Sequence, residues 1–273
     1  MKRLLQNGLL ILLLVIGLIL LLYPSVSNYW NLYHMSAAVL HYREEQEQMD
    51  PAECERMFAE AERFNAAAHK RKEYYRLSDS ERAQYEKLLD PDKDGIMGIL
   101  EIPRINVSMP IYHTADEAVL QIAAGHVEWS SLPAGGPGNH TVISGHRGLP
   151  SARLFTDLDQ LELGDRFELH VLNRNLVYEV DNIATVLPQD LEPLYPVENQ
   201  DYCTLMTCTP YGINTHRLLV RGRAVSNEEE YEISTVTVSA DAVLLDSQLE
   251  ALVFFALGFI GYLICIFTPR KKE

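Results

Sequence analysis

The hydrophobic positions of this chain follow three different periods. From Leu4 to Tyr23 they are almost continuous, broken only by Gln6, Asn7 and two glycines. Roughly 20 such residues in a helix cross a bilayer. From about Ser27 to Gln84 the spacing is helical, with two start signals. Asp50-Pro51-Ala52-Glu53 supplies an N-cap, a proline at the first helical position and an acid in the first turn, and Ser78-Asp79-Ser80-Glu81 reads as a capping box. Two or three helices are expected there. From Ile99 the period shortens to two, in runs separated by Gly, Pro and Asn, which predicts strands at 99–102, 107–112, 140–144, 166–172, 176–187, 203–207 and 217–225. Asn173-Arg174-Asn175 is the expected hairpin turn, with short helices at 116–123 and 152–160. Many short strands with few helices predict a mainly β fold that closes into a barrel.

A second apolar run, Ala251 to Phe267, precedes Arg270-Lys271-Lys272, and Lys2 and Arg3 precede the first. The positive-inside rule then places both ends in the cytoplasm and the intervening chain outside. A cleaved signal peptide is the alternative for the first run, although no clean small-x-small site follows Pro24. The expected division is 1–24 membrane anchor, 25–89 helical or lid region, 90–226 β-barrel, 227–248 tether, 249–268 second membrane helix and 269–273 basic tail.

Charge narrows the partners. The formal net charge is -15 with basic residues gathered at the two ends, so the outer portion is acidic and has no basic surface for nucleic acid. Of four cysteines, Cys265 falls in the second apolar run, and Cys54, Cys203 and Cys208 remain outside. Their spacing fits no zinc site, and an odd number leaves at least one free thiol. A pairing of Cys54 with Cys203 stays open. Asp90-Pro91-Asp92-Lys93-Asp94-Gly95, continued to Glu101, has the spacing of a calcium loop, with Asp90, Asp92, Asp94 and Glu101 as ligands. Glu101 falls in the first expected strand with no exiting helix after it, so an ordinary acidic turn is the favoured reading and no metal is assigned.

The stretch richest in chemistry is Thr204-Leu205-Met206-Thr207-Cys208-Thr209-Pro210-Tyr211-Gly212-Ile213-Asn214-Thr215-His216-Arg217. It reads as strand, turn, strand, with a thiol ending the first and a guanidinium opening the next. A cation near a cysteine favours the reactive thiolate, and the same cation holds an oxyanion. Thr-Leu-x-Thr-Cys followed by Thr-Pro-Tyr and Asn-x-His-Arg resembles the signature of class C sortases, the pilus-building branch. Ser144-Gly145-His146-Arg147-Gly148-Leu149-Pro150, continued to Leu158, resembles the same branch around its histidine, and a looser similarity runs from Leu88 to Val225.

That resemblance implies a sortase-like closed β-barrel with a helical lid, and a cysteine transpeptidase without a cofactor. It assigns Cys208 as nucleophile, His146 as general acid and base, and Arg217 as the oxyanion or substrate clamp. Its implied partners are pilin subunits with Leu-Pro-x-Thr-Gly-like sorting signals and acceptor lysines, at the plasma membrane of a Gram-positive bacterium. The alternatives are a wall-anchoring sortase of another class and an inactive membrane-tethered binding module. The family's Asp-Pro-aromatic lid motif has no counterpart here, and Tyr74 or Tyr75 are the nearest aromatics. His126, His140 and His216 read as packing or strand residues, and Arg147 and Arg221 as structural or surface charges.

Overall fold

The computed structural model describes residues 2–69 and 75–225. The expected tether, second apolar run and basic tail lie outside these, as does Tyr74. Helix α1 (Lys2–Gln48) continues through Pro24 without a break, so the first apolar run and the start of the helical region are one rod. Its apolar stretch is long enough to cross a membrane, and none of it is buried in the protein. Helix α2 (Pro51–Ala68) starts where the sequence predicts, with the Asp50 carboxylate accepting from the Ala52 N–H. Helix α3 (Asp79–Tyr85) begins with the full Ser78/Glu81 capping box.

The rest is a closed barrel of eight strands: β1 (Ile96–Ile102), β2 (Val107–Tyr112), β3 (Ala124–His126), β4 (Asn139–Ser144), β5 (Arg166–Val171), β6 (Arg174–Val186), β7 (Asp201–Thr209) and β8 (His216–Ala224). Around the barrel the order is β1-β2-β3-β4-β7-β8-β6-β5. Seven strands coincide with the alternating runs. The eighth, β3, escaped the sequence reading because three residues are too short to display a period. The helix expected at 116–123 is present as the short α4 (Glu117–Leu120). The one expected at 152–160 is instead an isolated bridge at Ala152, turns and a 3-10 segment at Leu158–Gln160, with Phe155 buried in the core.

The β5–β6 turn also differs from expectation. Val171 pairs directly with Arg174, so the turn is Leu172-Asn173, one residue earlier than predicted. Leu172 adopts φ 44° and is fully buried, and its N–H donates to the hydroxyl of Tyr42 on α1. Burial of a leucine against the helix therefore overrode the local preference for Asn at the turn.

Alternation sorts side chains to the two faces of the barrel wall. Inward, Ile143, Cys203, Leu205, Phe167, Tyr178 and Val220 join one continuous core that reaches Phe58 and Phe64 of α2. Gly222 is required here, because a Cβ would lie 2.7 Å from the Phe167 ring. Outward, Val142, Leu219 and Val127 form a separate patch with Leu194 from the β6–β7 connection, flanked by Met206, Leu191 and Trp129. Cys54 and Cys203 are both buried free thiols, one under the helices and one inside the barrel, so the pairing considered for them does not form.

At the mouth of β7, the Asp201 carboxylate accepts from the Gly136 N–H at 2.6 Å and faces the Tyr178 hydroxyl. Burial raises its pKa to about 6, from 3.8. A raised folded-state value means that the stability this group contributes is complete below pH 3.8 and lost as pH rises through 6. Asp201→Asn should therefore gain stability relative to the parent as pH rises from 4 through 6, and hold a constant difference above that. Melting temperatures of the two detergent-solubilised chains across this range test it; a difference that does not change with pH would contradict it.

Candidate active site

Three residues singled out by the sequence are brought together by strand register. β7 and β8 are antiparallel with Cys208 directly opposite Arg217 and Thr209 opposite His216. Directly paired residues point to the same face, and for Cys208 and Arg217 this is the outer face, shared with Met206 and Leu219. On its other edge β7 runs parallel to β4, with Val142 level with Thr204 and Ser144 level with Met206. Beyond Ser144 the strand ends, but Gly145 stays attached to β7: its N–H donates to Met206 O at 3.1 Å, and its carbonyl accepts from the Thr207 hydroxyl at 2.7 Å. The next residue, His146, is thereby carried to the level of Cys208. Gly145 must lack a side chain, since a Cβ would meet the Phe155 ring at 2.7 Å.

The loops carrying these groups are locked to each other. Arg147, whose side chain is only 9 % exposed, donates to the Thr156 carbonyl, to Thr209 Oγ1 on β7 and to the Asp159 carboxylate. Of the two readings the sequence allowed for it, the structural one holds, and it is not a surface charge. Gly148 has φ 77°, and a Cβ there would press on the Tyr211 ring at 2.9 Å. The loop after His146 thus seats beneath the aromatic of the Thr-Pro-Tyr turn. The turn itself contains a cis Thr209-Pro210 bond.

Cys208, His146 and Arg217 are all half-buried, open to an incoming chain yet partly shielded from water. Arg217 Nη1 donates to the His216 carbonyl at 3.2 Å. His146 Nε2 lies 3.3 Å from Glu117 Oε1, at the start of α4. The Glu117 carboxyl sits below its usual range, through the amide of Gln121 and then through His146. Sequence reasoning missed Glu117. Nothing in Asp116-Glu117-Ala118 distinguishes it from any acid in a first helical turn, and only the fold places it beside the histidine.

The other three histidines weighed in the sequence are held by local contacts. His126 is fully buried between the Tyr85 hydroxyl and the Ser131 carbonyl, and burial lowers its pKa to about 3. His140 joins the Tyr195 carbonyl to the Thr204 hydroxyl, tying the β6–β7 connection to β7, and burial lowers it to about 4. His216 contacts the Thr215 hydroxyl. Arg221 forms a bidentate pair with Asp181 and lies over the Tyr202 ring. Tyr75 packs edge-on against Trp129 and beside Tyr195, along the outer apolar patch.

The acidic turn does not gather as the calcium spacing requires. Asp90 accepts from the Gly95 N–H and Asp94 from the Ile96 N–H, each spent on the turn itself. Glu101 instead binds Arg43, Ser108 and His170. Among the described residues no group of acidic, His and Cys side chains is arranged to hold a metal ion.

With this geometry in hand, comparison with known proteins is decisive. The Sortase domain family matches residues 100–225. Sortase C1 of Streptococcus agalactiae is 46% identical, with 70% of this chain and 99% of that one covered at a TM-score of 0.67. The chain belongs to the class C sortases. Sortase C of Streptococcus pneumoniae is 43% identical over 70% of this chain and 97% of its own, at a TM-score of 0.62. Sortase C-1 of Actinomyces oris is 39% identical over 64% and 99%, at 0.60. Among curated sequences, sortase D of Bacillus subtilis strain 168 is 28% identical over 152 residues, 55% of this chain and 74% of the relative. As a sortase, the protein is a cysteine transpeptidase.

Two outcomes follow for this sortase. Gly148→Ala forces a side chain into a left-handed position and against Tyr211, and a displacement of the histidine loop on the ångström scale costs about 100-fold in rate. Peptide transpeptidation should fall accordingly while far-UV circular dichroism stays unchanged; full activity would show that the two loops are not mechanically linked. Glu117→Gln keeps the hydrogen bond but removes the charge facing His146. Its pH profile of kcat/KM should shift from the parent's, and coincident profiles would show Glu117 to be uninvolved.

Proposed function

We propose that this sortase polymerises pilins, with Cys208, His146 and Arg217 as its reactive set. The observation that carries the reading is the register that sets Cys208 opposite Arg217 and brings His146 level with both. One related structure, sortase C of Clostridium perfringens, was determined with a C-terminal cell wall sorting motif. The Streptococcus pneumoniae enzyme is described in terms of pilin substrate specificity. These support a sorting signal of the Leu-Pro-x-Thr-Gly type as the peptide that enters here.

In the first half-reaction the Cys208 thiolate attacks the threonine carbonyl carbon. Negative charge gathers on the carbonyl oxygen, and the Arg217 guanidinium is the cation on the same face that receives it. The C–N bond to glycine then breaks, and protonated His146 gives its proton to the departing amine. A thioester and a free glycine amine result. In the second half-reaction a lysine amine of another pilin attacks the thioester, His146 takes the amine's proton, and the thiolate leaves. The product is an amide between threonine and lysine.

In this reading α1 crosses the plasma membrane, the barrel stands outside the cell, and the run at 251–267 makes a second crossing. Tethering confines enzyme and substrates to one surface and raises their effective concentration.

Incubating the full chain with a sorting-signal peptide and a pilin domain bearing an acceptor lysine tests the proposal by mass spectrometry. The parent should show an acyl adduct on Cys208 and a joined product, and Cys208→Ala neither. Arg217→Lys, which loses the planar fork, should lower kcat/KM by about 100-fold or more, the usual cost of losing an oxyanion contact. An acyl adduct without joined pilins would overturn polymerisation while leaving the nucleophile in place.

A further inference from the structure

Helix α1 is about twice as long as a bilayer crossing needs, and the barrel is bound to its second half at known points. Near the apolar run, the Asn28 side chain accepts from the Arg153 N–H at 3.0 Å, and Asn31 donates to the Gln121 carbonyl at 3.3 Å. At the other end, the Tyr42 hydroxyl donates to Met97 O and accepts from the Leu172 N–H, and Arg43 pairs with Glu101. Val39 and Tyr42 pack on Ile96 and Ile99. The barrel therefore stands along α1 with a defined upper and lower end. The lower end carries the site: Gln121 ends the helix whose Glu117 faces His146, and Arg153 closes the turn that follows His146-Arg147-Gly148.

The rise of a helix converts these contacts into heights. If Leu4 to Tyr23 fills the hydrocarbon core, Asn28 lies about 8 Å beyond it and Asn31 about 12 Å, at 1.5 Å per residue. Tyr42 lies about 28 Å beyond it on the same scale. The headgroup layer reaches roughly 5–8 Å past the hydrocarbon on each side. Arg153 then sits at headgroup depth, Gln121 about 4 Å above the outer edge of that layer, within a side chain's reach of it, and the Leu172 turn some 20 Å above. Independent of this arithmetic, α1 exposes Tyr29, Trp30 and Tyr33 at this level, at 56%, 65% and 63%. Such rings, apolar with one polar edge, collect at membrane interfaces, and among the described residues these stay exposed apart from the His34 ring beside Trp30 and Tyr33. Ile122, next to Gln121, is 44% exposed on the same rim.

We propose that α1 sets this sortase on the membrane with the mouth of its active site against the lipid headgroups, residues 117–122 and 148–153 forming a rim that contacts phospholipid. This rests on the reading of α1 as a membrane anchor. Its consequence is that a sorting signal need not rise from the membrane to be cleaved: the reactive groups wait at the surface from which an anchored substrate emerges.

Fluorescence quenching in vesicles tests it. In a Cys208→Ala, Cys265→Ser background, where Cys54 and Cys203 are buried, bimane is attached through Val15→Cys, Ile122→Cys, Arg153→Cys or Asn173→Cys, one at a time. The full chain is reconstituted in phosphatidylcholine and phosphatidylglycerol vesicles carrying a spin label on either the acyl chain or the headgroup. The acyl label should quench position 15, the headgroup label should quench 122 and 153, and position 173 should escape both. Quenching at 15 with equal headgroup quenching at 153 and 173 would overturn the orientation and leave the anchor standing. So would quenching at 15 with none at 122 or 153, which would mean that water or a protein covers the rim. No quenching at 15 would instead overturn the anchor reading itself.

Discussion

Strand β7 is paired in two senses, parallel to β4 and antiparallel to β8, and the placement of Cys208, His146 and Arg217 depends on those two registers. A slip of one residue against either neighbour turns side chains to the opposite face of the wall. Cys208 would then point into the barrel, where Leu205 and Thr207 now lie, or lose Arg217 from its side. The buried inward residues make such a slip prohibitive. Ile143, Leu205 and Val220 fill the core only in this alignment, so the hydrophobic packing of the interior fixes the placement of polar groups on the exterior.

What the sequence revealed follows from the range of each interaction. The strands were legible because alternation is local, and so were the caps at Asp50 and Ser78, which involve residues two or three apart. β3 was too short to read, and Leu172 sits in a turn against its own preference because Tyr42, far away in the chain, is its partner. Cys208, His146 and Arg217 were found through motif resemblance together with their places at strand ends. Glu117, Arg147 and Gly148 carry no local signal for their contacts. Their partners are set by how loops meet across the barrel, and only the folded chain displays them. The acidic turn shows the converse, a local spacing that fits a calcium loop while long-range contacts of Glu101 with Arg43 and His170 claim the last ligand.

Polar groups buried around the site act chiefly as fasteners. His140 is neutral at physiological pH and links a strand to the β6–β7 connection through both ring nitrogens. Arg147 spreads its donors over Thr156 and Asp159 of its own connection and Thr209 on β7, which a lysine, with a single ammonium, cannot reproduce. Glu101, drawn below its ordinary range by His170 and Arg43 against the opposing effect of burial, fastens α1 to the barrel in the same manner.

The β6–β7 connection lies outside all of these fasteners except the one from His140. It closes over the outer apolar patch through Leu191 and Leu194, yet neither Cys208, His146 nor Arg217 hangs from it. Substitutions in this segment that keep Leu191, Leu194 and the Tyr195 carbonyl in place therefore leave the registers of β7 with β4 and β8 undisturbed. The barrel's outer wall thus has a cover that is separate in sequence from the strands and loop that carry Cys208, His146 and Arg217.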